Sequence, residues 1–230
     1  MRTYTPRQIV GGIIRRARHA LASDPDRFLK RCKAVIHVGA ADGGEREQYA
    51  RYSLTVLWVE ALPDVFQTLV RNLRDYPKQK AINALVTDKE GETYDFHVSS
   101  NRGASSSIYE FQDHKALWPD VTFTRTIRLR STTLPTLLRK AGHSPSDFDT
   151  LILDVQGAEL PVVEGAGDVL DSLRYIKAEA WDFEAYKGAC TLETLSDALK
   201  QRGFTARRKR AYYGKEGVGF AYDVLYERKA

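Results

Sequence analysis

Short apolar runs alternate along this 230-residue chain with stretches that place apolar side chains on one side of a helix. In residues 64–76, Val65, Leu69 and Leu73 recur every four positions, which is a helical spacing. Continuous apolar runs are typical of strands buried on both faces of a parallel sheet. The pattern predicts strands at 34–39, 55–60, 81–87, 150–155 and 175–181 and a closing hairpin of strands at 204–213 and 218–226. It predicts helices at 45–52, 64–76, 133–141, 160–173 and 192–202.

This order of elements predicts an α/β fold, with helices on both faces of a mostly parallel sheet and an antiparallel strand from the terminal hairpin. We expect residues 1–33 to form an N-terminal helical extension and residues 34–230 a single domain. Between residues 89 and 131 the alternation breaks, and the segments 92–99 and 126–130 predict additional β structure. An insertion of this length is usually functional, and we expect it near the acceptor site.

Composition narrows the class of protein. The chain is 43% hydrophobic and 28% charged, which is typical of a globular protein. Cys32 and Cys190 are too few for a disulfide framework, which favours a reducing compartment. Neither a run of eighteen apolar residues nor a secretory leader is recognisable. We therefore predict a soluble, cytoplasmic protein without a transmembrane segment, and homo-oligomer formation stays open.

The charge is unevenly distributed. Residues 1–33 and 200–215 each carry a net charge of +7, whereas residues 34–199 carry −8. Basic ends of this kind meet phosphates, anionic membranes or acidic glycans, and they also occur as solvated faces of helices and edge strands. The pattern leaves both interpretations open, and it assigns no role to the basic run 207–210.

A glycine-containing turn follows the first predicted strand. Residues 39–44 read Gly-Ala-Ala-Asp-Gly-Gly, and Glu60 ends the second strand, 21 positions after Gly39. An acidic residue at about this distance, roughly 20 positions on, accepts hydrogen bonds from ribose hydroxyls. Ala41 and Asp42 replace the glycines that approach a pyrophosphate, and Asp42 would repel one. The pattern favours a cationic ribose-containing cofactor, S-adenosylmethionine, over a nicotinamide dinucleotide; a tight turn with a surface glutamate is the alternative.

Acidic residues lie at or near the ends of the strands predicted at 150–155 and 175–181. Asp154 ends one strand, Glu159 lies one helical turn on, and Glu179 lies near the end of the next strand. Ligands of parallel sheets bind beyond the carboxyl ends of the strands. We therefore predict Asp154, Glu159 and Glu179 as catalytic residues, with Asp154 and Glu179 as possible ligands of a divalent cation such as Mg²⁺. Helix capping and plain surface positions are the alternative roles.

Six segments together resemble the FkbM family of methyltransferases. They are residues 35–43, 59–63, 83–88, 105–107, 132–134 and 153–159, and the last, Asp-Val-Gln-Gly-Ala-Glu after Leu153, is the most specific. The resemblance implies the Rossmann-like class I fold, with seven strands and an antiparallel terminal hairpin strand. It also implies O-methylation of a hydroxyl group on a sugar, a glycan or a natural product, with S-adenosylmethionine as the methyl donor.

The resemblance also implies roles for single residues. Gly39, Ala40 and Gly43 would contact the methionine part of the cofactor, Glu60 the ribose, and Asn83 and Ala84 the adenine. Asp42, Ala61 and Asp154 complete the predicted cofactor-binding set. His37 stands where an acidic residue is frequent in the family.

The acceptor is expected to be a small molecule or a glycan. A sugar hydroxyl needs a base as its new bond forms, and we predict Asp154 in that role, either alone or with Glu159 and Glu179 around a cation. His114 in the insertion is a second candidate base. Ser106, Trp118 and Trp181 are predicted to bind the acceptor. An RNA ribose methyltransferase, suggested by the basic ends, a nicotinamide-dependent oxidoreductase and a binding module without activity are the alternatives.

Overall fold

A computed structural model of the chain describes residues 26–228. Its strands are β1 (Ala34–Val38), β2 (Thr55–Glu60), β3 (Gln79–Asn83), β4 (Leu85–Val86), β5 (Thr93–Ser99), β6 (Phe123–Thr132), β7 (Thr150–Leu153), β8 (Tyr175–Trp181), β9 (Phe204–Lys215) and β10 (Gly219–Arg228). Its α-helices are α1 (Arg46–Arg51), α2 (Pro63–Asn72), α3 (His114–Leu117), α4 (Leu134–Lys140), α5 (Glu159–Glu164), α6 (Val169–Ser172) and α7 (Leu192–Gln201). Short 3-10 helices span Arg27–Arg31 and Pro145–Asp147.

Seven strands form one sheet in the order β3-β2-β1-β7-β8-β10-β9. The first five are mutually parallel, and β10 runs antiparallel to both β8 and β9. The chain leaves β1 toward β2 on one side and later returns through β7 on the other, which makes the β1–β7 junction the switch point of the sheet. The predicted α/β fold with an antiparallel terminal hairpin is confirmed.

Alternating strand residues divide between the two faces of this sheet. Leu57, Ile36, Leu151 and Ile176 form one row across β2, β1, β7 and β8, and all belong to the main apolar core. The core also contains apolar residues of α4, α5, α6 and α7, so these helices cover that face. On the opposite face Tyr49 of α1 packs at 5.2 Å from Trp58, measured between ring centroids.

The strand predicted at 81–87 is divided between two sheets. Ala84 N–H donates to the Glu60 carbonyl, and the Asn83 side chain donates to the carbonyls of Glu60 and Ala61. These bonds end the pairing of β3 with β2, and β4 pairs instead with β6. β6 also pairs with β5, so the insertion contributes two strands of a three-stranded second sheet.

The single helix predicted at 160–173 is wrong, because the structure contains two helices, α5 and α6. A Cβ atom at Gly165 would lie 2.3 Å from the carbonyl oxygen of Thr87, and Gly167 has a φ of +51°. The chain therefore bends between the helices, and Gly165 allows close contact with the β4 end. Apolar residues before and after the bend still enter the same core, so the hydrophobic period continues through it.

The predicted N-terminal extension lies largely outside the described residues. Within residues 26–32, which belong to a separate unit, the structure shows only the 3-10 helix Arg27–Arg31. Across residues 26–228, no helix has the length and apolar character that a membrane crossing requires.

Candidate active site

A cavity of about 550 Å³ opens where β1, β2 and β7 end. Predicted residues that line it are Gly39, Asp42, Glu60, Ala61, Ala84, Ser106 and Asp154. The sheet register explains why they meet, since Val59, Val38 and Leu153 form the last paired row and the next residues emerge together at the carboxyl edge. This cavity occupies the switch point, where open α/β sheets bind ligands.

Gly39 permits the closest backbone contact of the cavity. Its φ is +83°, and a Cβ atom there would lie 1.8 Å from the carbonyl oxygen of Asp154. The backbone N–H groups of Gly39 and Ala40 both donate to the Val59 carbonyl. Ala40 is buried, and the missing side chain of Gly43 makes room for Leu69 of α2. Ala40 and Gly43 therefore shape the turn without lining the cavity.

Glu60 connects two loops at the cavity wall. One carboxylate oxygen accepts from the Ala41 backbone N–H at 2.8 Å, and the other accepts from that of Leu62 at 2.8 Å. Burial raises the pKa of Glu60 to about 7, although these two donors act in the opposite direction. A carboxylate accepts up to about four hydrogen bonds, so this group can also accept one from a ligand hydroxyl. Asn83 lies outside this cavity and holds the backbone that precedes α2 instead.

Asp154 and Glu179 form an acidic pair joined by the side chain of Gln156. The Gln156 Nε2 group donates to Asp154 Oδ1 at 2.7 Å and to Glu179 Oε1 at 3.4 Å, and the Gln156 Oε1 atom accepts from the Tyr186 hydroxyl at 2.6 Å. The Tyr212 hydroxyl hydrogen-bonds Glu179. Gln156 thus brings the two carboxyl groups close enough for the ionisation of each to affect the pKa of the other.

Desolvation raises the pKa of both members of this pair. The surrounding protein desolvates the carboxyl group of Asp154 and so raises its pKa, although part of the side chain is open to the cavity. Burial and the neighbouring charge of Asp154 raise the pKa of Glu179 well above its ordinary value. Of the two carboxyl groups, that of Asp154 lines the cavity. An ionised carboxylate with a raised pKa is suited to accept a proton.

Glu159 lies beneath the turn that follows β7. Its two carboxylate oxygens accept from the backbone N–H groups of Val155 and Gly157, each at 3.0 Å. These bonds hold Gln156 between them in the left-handed region, at a φ of 52°. Glu159 is buried and does not line the cavity. The geometry favours a positioning role for it over the predicted catalytic one.

The buried carboxyl of Glu159 should make stability depend on pH. Burial raises its pKa from 4.5 to about 7, so the folded chain binds this proton more tightly than the unfolded chain does. The free energy of unfolding therefore falls as the pH rises through that window and levels off above it. We expect Glu159→Gln, which cannot ionise, to reduce the slope of the free energy of unfolding against pH. Glu60, whose pKa is raised in the same way, would still contribute to that slope. Urea unfolding at several pH values between 4.5 and 7 measures the slope.

The control is Glu164→Gln, at an exposed position of the same helix. Glu159→Gln also loses one of the two backbone bonds, so only the slope, and not the absolute stability, reports on the ionisation. A variant slope equal to that of the wild type would contradict the prediction.

The magnesium prediction has no support in this geometry. Among residues 26–228 no group of three or more His, Cys, Asp or Glu side chains is arranged to hold a metal ion. The predicted ligands Asp154 and Glu179 instead receive hydrogen bonds from Gln156 and Tyr212. Such donors satisfy carboxylate oxygens that a cation would otherwise use.

The insertion lines the cavity mainly with residues other than those predicted to bind the acceptor. Its residues 101–104 line the cavity together with Phe96 and Ile108. The Ser106 Oγ atom accepts from the Ser99 backbone N–H at 3.0 Å. The Ser107 hydroxyl donates to the Gln156 carbonyl at 2.7 Å, which ties the insertion to the turn after β7.

The two predicted acceptor tryptophans lie together but outside this cavity. Trp118 packs against Trp181, with ring centroids 5.4 Å apart. His114 stacks on Phe111 and packs at a tilt against both tryptophans. Burial lowers its pKa to about 4, so it is neutral at physiological pH. The Nε2 atom of His114 bonds the Ser105 hydroxyl rather than reaching the acidic pair.

Sequence reasoning missed several residues of the site. Gln156 was visible within the Asp-Val-Gln-Gly-Ala-Glu segment, but its spacing gave no sign that its amide would join two carboxyl groups. Arg102 lines the cavity through a turn in which it has a φ of 61°. Tyr186 and Tyr212 come from separate parts of the chain, and no local pattern points to either.

A carboxylate-lined cavity at the switch point of a seven-stranded sheet with an antiparallel terminal hairpin defines a Rossmann-like methyltransferase fold. Residues 37–205 match the Methyltransferase FkbM domain. The chain therefore belongs to the FkbM methyltransferase family, and the protein is a methyltransferase.

Known proteins similar to this chain are also methyltransferases. The 2-O-methyltransferase NoeI of Sinorhizobium fredii (strain NBRC 101917 / NGR234) is 25% identical over 188 residues, which cover 78% of this chain and 76% of NoeI. Magnesium protoporphyrin IX methyltransferase from Synechocystis PCC 6803, with bound SAH, aligns with a TM-score of 0.49 at 10% identity, covering 86% of this chain and 74% of that chain. N-methyltransferase NodS from Bradyrhizobium japonicum WM9 aligns with a TM-score of 0.49 at 9% identity, covering 94% of this chain and 87% of that chain.

Proposed function

We propose that this methyltransferase uses S-adenosylmethionine to methylate a hydroxyl group on a sugar of a glycan or natural product. The observation that carries the proposal is the Asp154–Glu179 pair, of which Asp154 lines the cavity at the switch point. A carboxylate there is placed to take the proton of a hydroxyl. The similarity to a 2-O-methyltransferase supports an oxygen acceptor.

The cavity suits S-adenosylmethionine in volume and in charge. Its volume of about 550 Å³ lies within the range of ligand pockets, roughly 300–1,000 Å³. Among residues 26–228, the charged residues that line it are the acids Asp42, Glu60 and Asp154 and the cation Arg102. A negative lining favours a sulfonium cation and disfavours a pyrophosphate or an RNA backbone. Glu60 would hold the ribose hydroxyls, and Arg102 is the cation available to the cofactor carboxylate.

When bound, the cofactor supplies an electrophilic methyl group. Asp154 then accepts the proton of the acceptor hydroxyl as the new oxygen–carbon bond forms and the sulfur–carbon bond breaks. Gln156 orients both carboxyl groups by donating to Asp154 and to Glu179. Glu159 and Ser107 hold the turn that carries Gln156. Preorganisation of this kind keeps the base at a reactive distance from the hydroxyl.

Calorimetric titration with S-adenosylhomocysteine tests the cofactor assignment. We expect Glu60→Ala to weaken binding by about 10- to 100-fold, as for other lost hydrogen bonds to a charged group. Because Glu60 also holds Ala41 and Leu62, thermal unfolding of the variant is measured alongside. Absence of binding to a correctly folded wild type would contradict the proposal.

Transfer of a labelled methyl group to a panel of methyl glycosides tests the acceptor class. The printed name of NoeI makes the 2-hydroxyl the first position to examine in the product. A short single-stranded RNA serves as the competing acceptor. Methylation of the RNA, with no glycoside methylated, would replace the sugar acceptor by RNA ribose.

A further inference from the structure

The outer strand of the large sheet contains a β-bulge at Tyr212. Ala211 of β9 pairs with Tyr222 of β10, whereas Tyr213 pairs with Ala221. Tyr212 is therefore an extra residue in the ladder. Bulges of this kind redirect side chains and are frequent next to active sites.

The bulge brings two successive tyrosines to the face of the acidic pair. Ala221 pairs with both Tyr213 and Trp181, and residues directly opposite one another share a face of the sheet. Tyr213 therefore lies on the face of Trp181 and of Glu179, two residues earlier in β8. Regular alternation would send Tyr212 to the other face, yet its hydroxyl reaches Glu179. The bulge makes that contact possible.

Tyr213 continues this face as an aromatic surface. Its ring stacks on Trp118, with centroids 4.5 Å apart and an angle of 19° between planes, and its hydroxyl donates to the Leu117 carbonyl at 3.5 Å. Trp118 in turn packs edge-on against Trp181. Tyr212 and Tyr213 are 42% and 43% exposed, which is high for aromatic side chains within the described residues. The surface begins at the acidic pair and opens toward solvent.

We propose that the bulged end of β9 forms the acceptor subsite, in which a sugar ring lies against Tyr213, whose ring is backed by Trp118, while Tyr212 holds Glu179 beside it. This inference rests on the proposed function and adds the place and the chemistry of acceptor binding. In the ideal sheet geometry, Tyr213 and Glu179 are on the order of 10 Å apart at the backbone, with the small side chain of Ala221 on the same face beside Tyr213.

The chemistry of the surface favours a neutral sugar. Aromatic rings offer large apolar area with polar groups at their ends, which suits a ring that has an apolar face and hydroxyl groups at its edge. Asp154 and Glu179 lie at one end of the surface, and Asp223, beside Glu179 in the sheet, lies 3.9 Å from the Lys177 ammonium. An ionised Asp154 at this end would repel a phosphate. A nucleotide acceptor is therefore disfavoured, although its base would also stack on tyrosine.

Saturation-transfer NMR with methyl glycosides, in the presence of S-adenosylhomocysteine, tests the subsite without requiring turnover. We expect Tyr213→Ala to abolish the transfer to the sugar and Tyr213→Phe, which keeps the ring, to retain it. In methyl-transfer assays Tyr213→Ala should raise the KM for the acceptor glycoside about tenfold, with kcat little changed. Phe220→Ala is the matched control, because Phe220 is 40% exposed on the other face of the same hairpin.

The outcomes separate this inference from the proposed function. Sugar binding that is lost only in Tyr213→Ala supports the subsite even if no glycoside of the panel is methylated. Sugar binding or a KM that is the same in Tyr213→Ala and wild type would overturn the subsite while leaving sugar methylation intact. Saturation transfer to a short RNA, with none to any glycoside, would overturn both.

Discussion

Asp154→Asn is expected to reduce kcat by about 10²- to 10⁴-fold, the usual contribution of a positioned acid or base. Asparagine matches aspartate in size and can still accept from Gln156 Nε2, but it cannot take a proton from the acceptor hydroxyl. The fold and the affinity for S-adenosylhomocysteine should stay close to those of the wild type. Single-turnover methyl transfer, combined with calorimetry, measures the two effects separately.

The pH profile gives this prediction a second readout. Asp154 must be ionised to act as a base, and its pKa is raised by desolvation. The activity of the wild type should therefore be lost as the pH falls through a value above the ordinary range of aspartate, and Asp154→Asn should lack this acid limb. Asp75→Asn, at an exposed position, is the control. Full turnover in Asp154→Asn would remove the base assignment.

Gly39→Ala is expected to lower the stability by about 3 to 5 kcal/mol, since it combines a strained backbone with severe overpacking. The added Cβ atom would lie 1.8 Å from the Asp154 carbonyl oxygen, and a backbone atom cannot rotate away as a flexible side chain can. For a chain of this length such a loss lowers the Tm by about 10 °C. Cofactor binding should fall as well, because relief of the contact separates the ends of β1 and β7.

Gly142→Ala separates overpacking from backbone strain. Gly142 has a φ of +77°, close to that of Gly39, but no atom lies within 4 Å of an added Cβ. We expect a cost of about 1 kcal/mol, from the left-handed backbone alone. Differential scanning calorimetry of both variants compares the two costs. Equal losses in Gly39→Ala and Gly142→Ala would show that the contact with Asp154 has no role.

Much of the sheet edge was predictable from the sequence. Parallel strands end at a common edge, so residues that directly follow apolar runs must come close together whatever the loops do. This reasoning placed Gly39, Glu60 and Asp154 in one site and placed Glu179 on the strand next to Asp154. It could not assign Glu159, because a carboxylate one turn into a helix has the same sequence pattern whether it faces a ligand or its own loop.

The remaining residues depend on long-range pairing. Tyr212 reaches Glu179 of β8 only because it is an extra residue in the ladder between its own strand, β9, and β10. A local period of two predicts the opposite face for it. Trp118 meets Tyr213 across nearly a hundred residues of sequence. The bend at Gly165 was not predicted for a related reason. Glycine is required there because of a contact with the Thr87 carbonyl, which is distant in the sequence.

Among the described strands, β9 is the last of its sheet, so one side of its backbone has no neighbouring strand in that order. An uncovered strand edge is a template for pairing with other chains. β9 carries the basic run 207–210 and shifts of register at two places. Repulsion between like charges and a twisted edge both oppose strand-to-strand association of two molecules. We therefore expect this basic run to oppose edge-to-edge pairing of two molecules, independent of any anionic ligand.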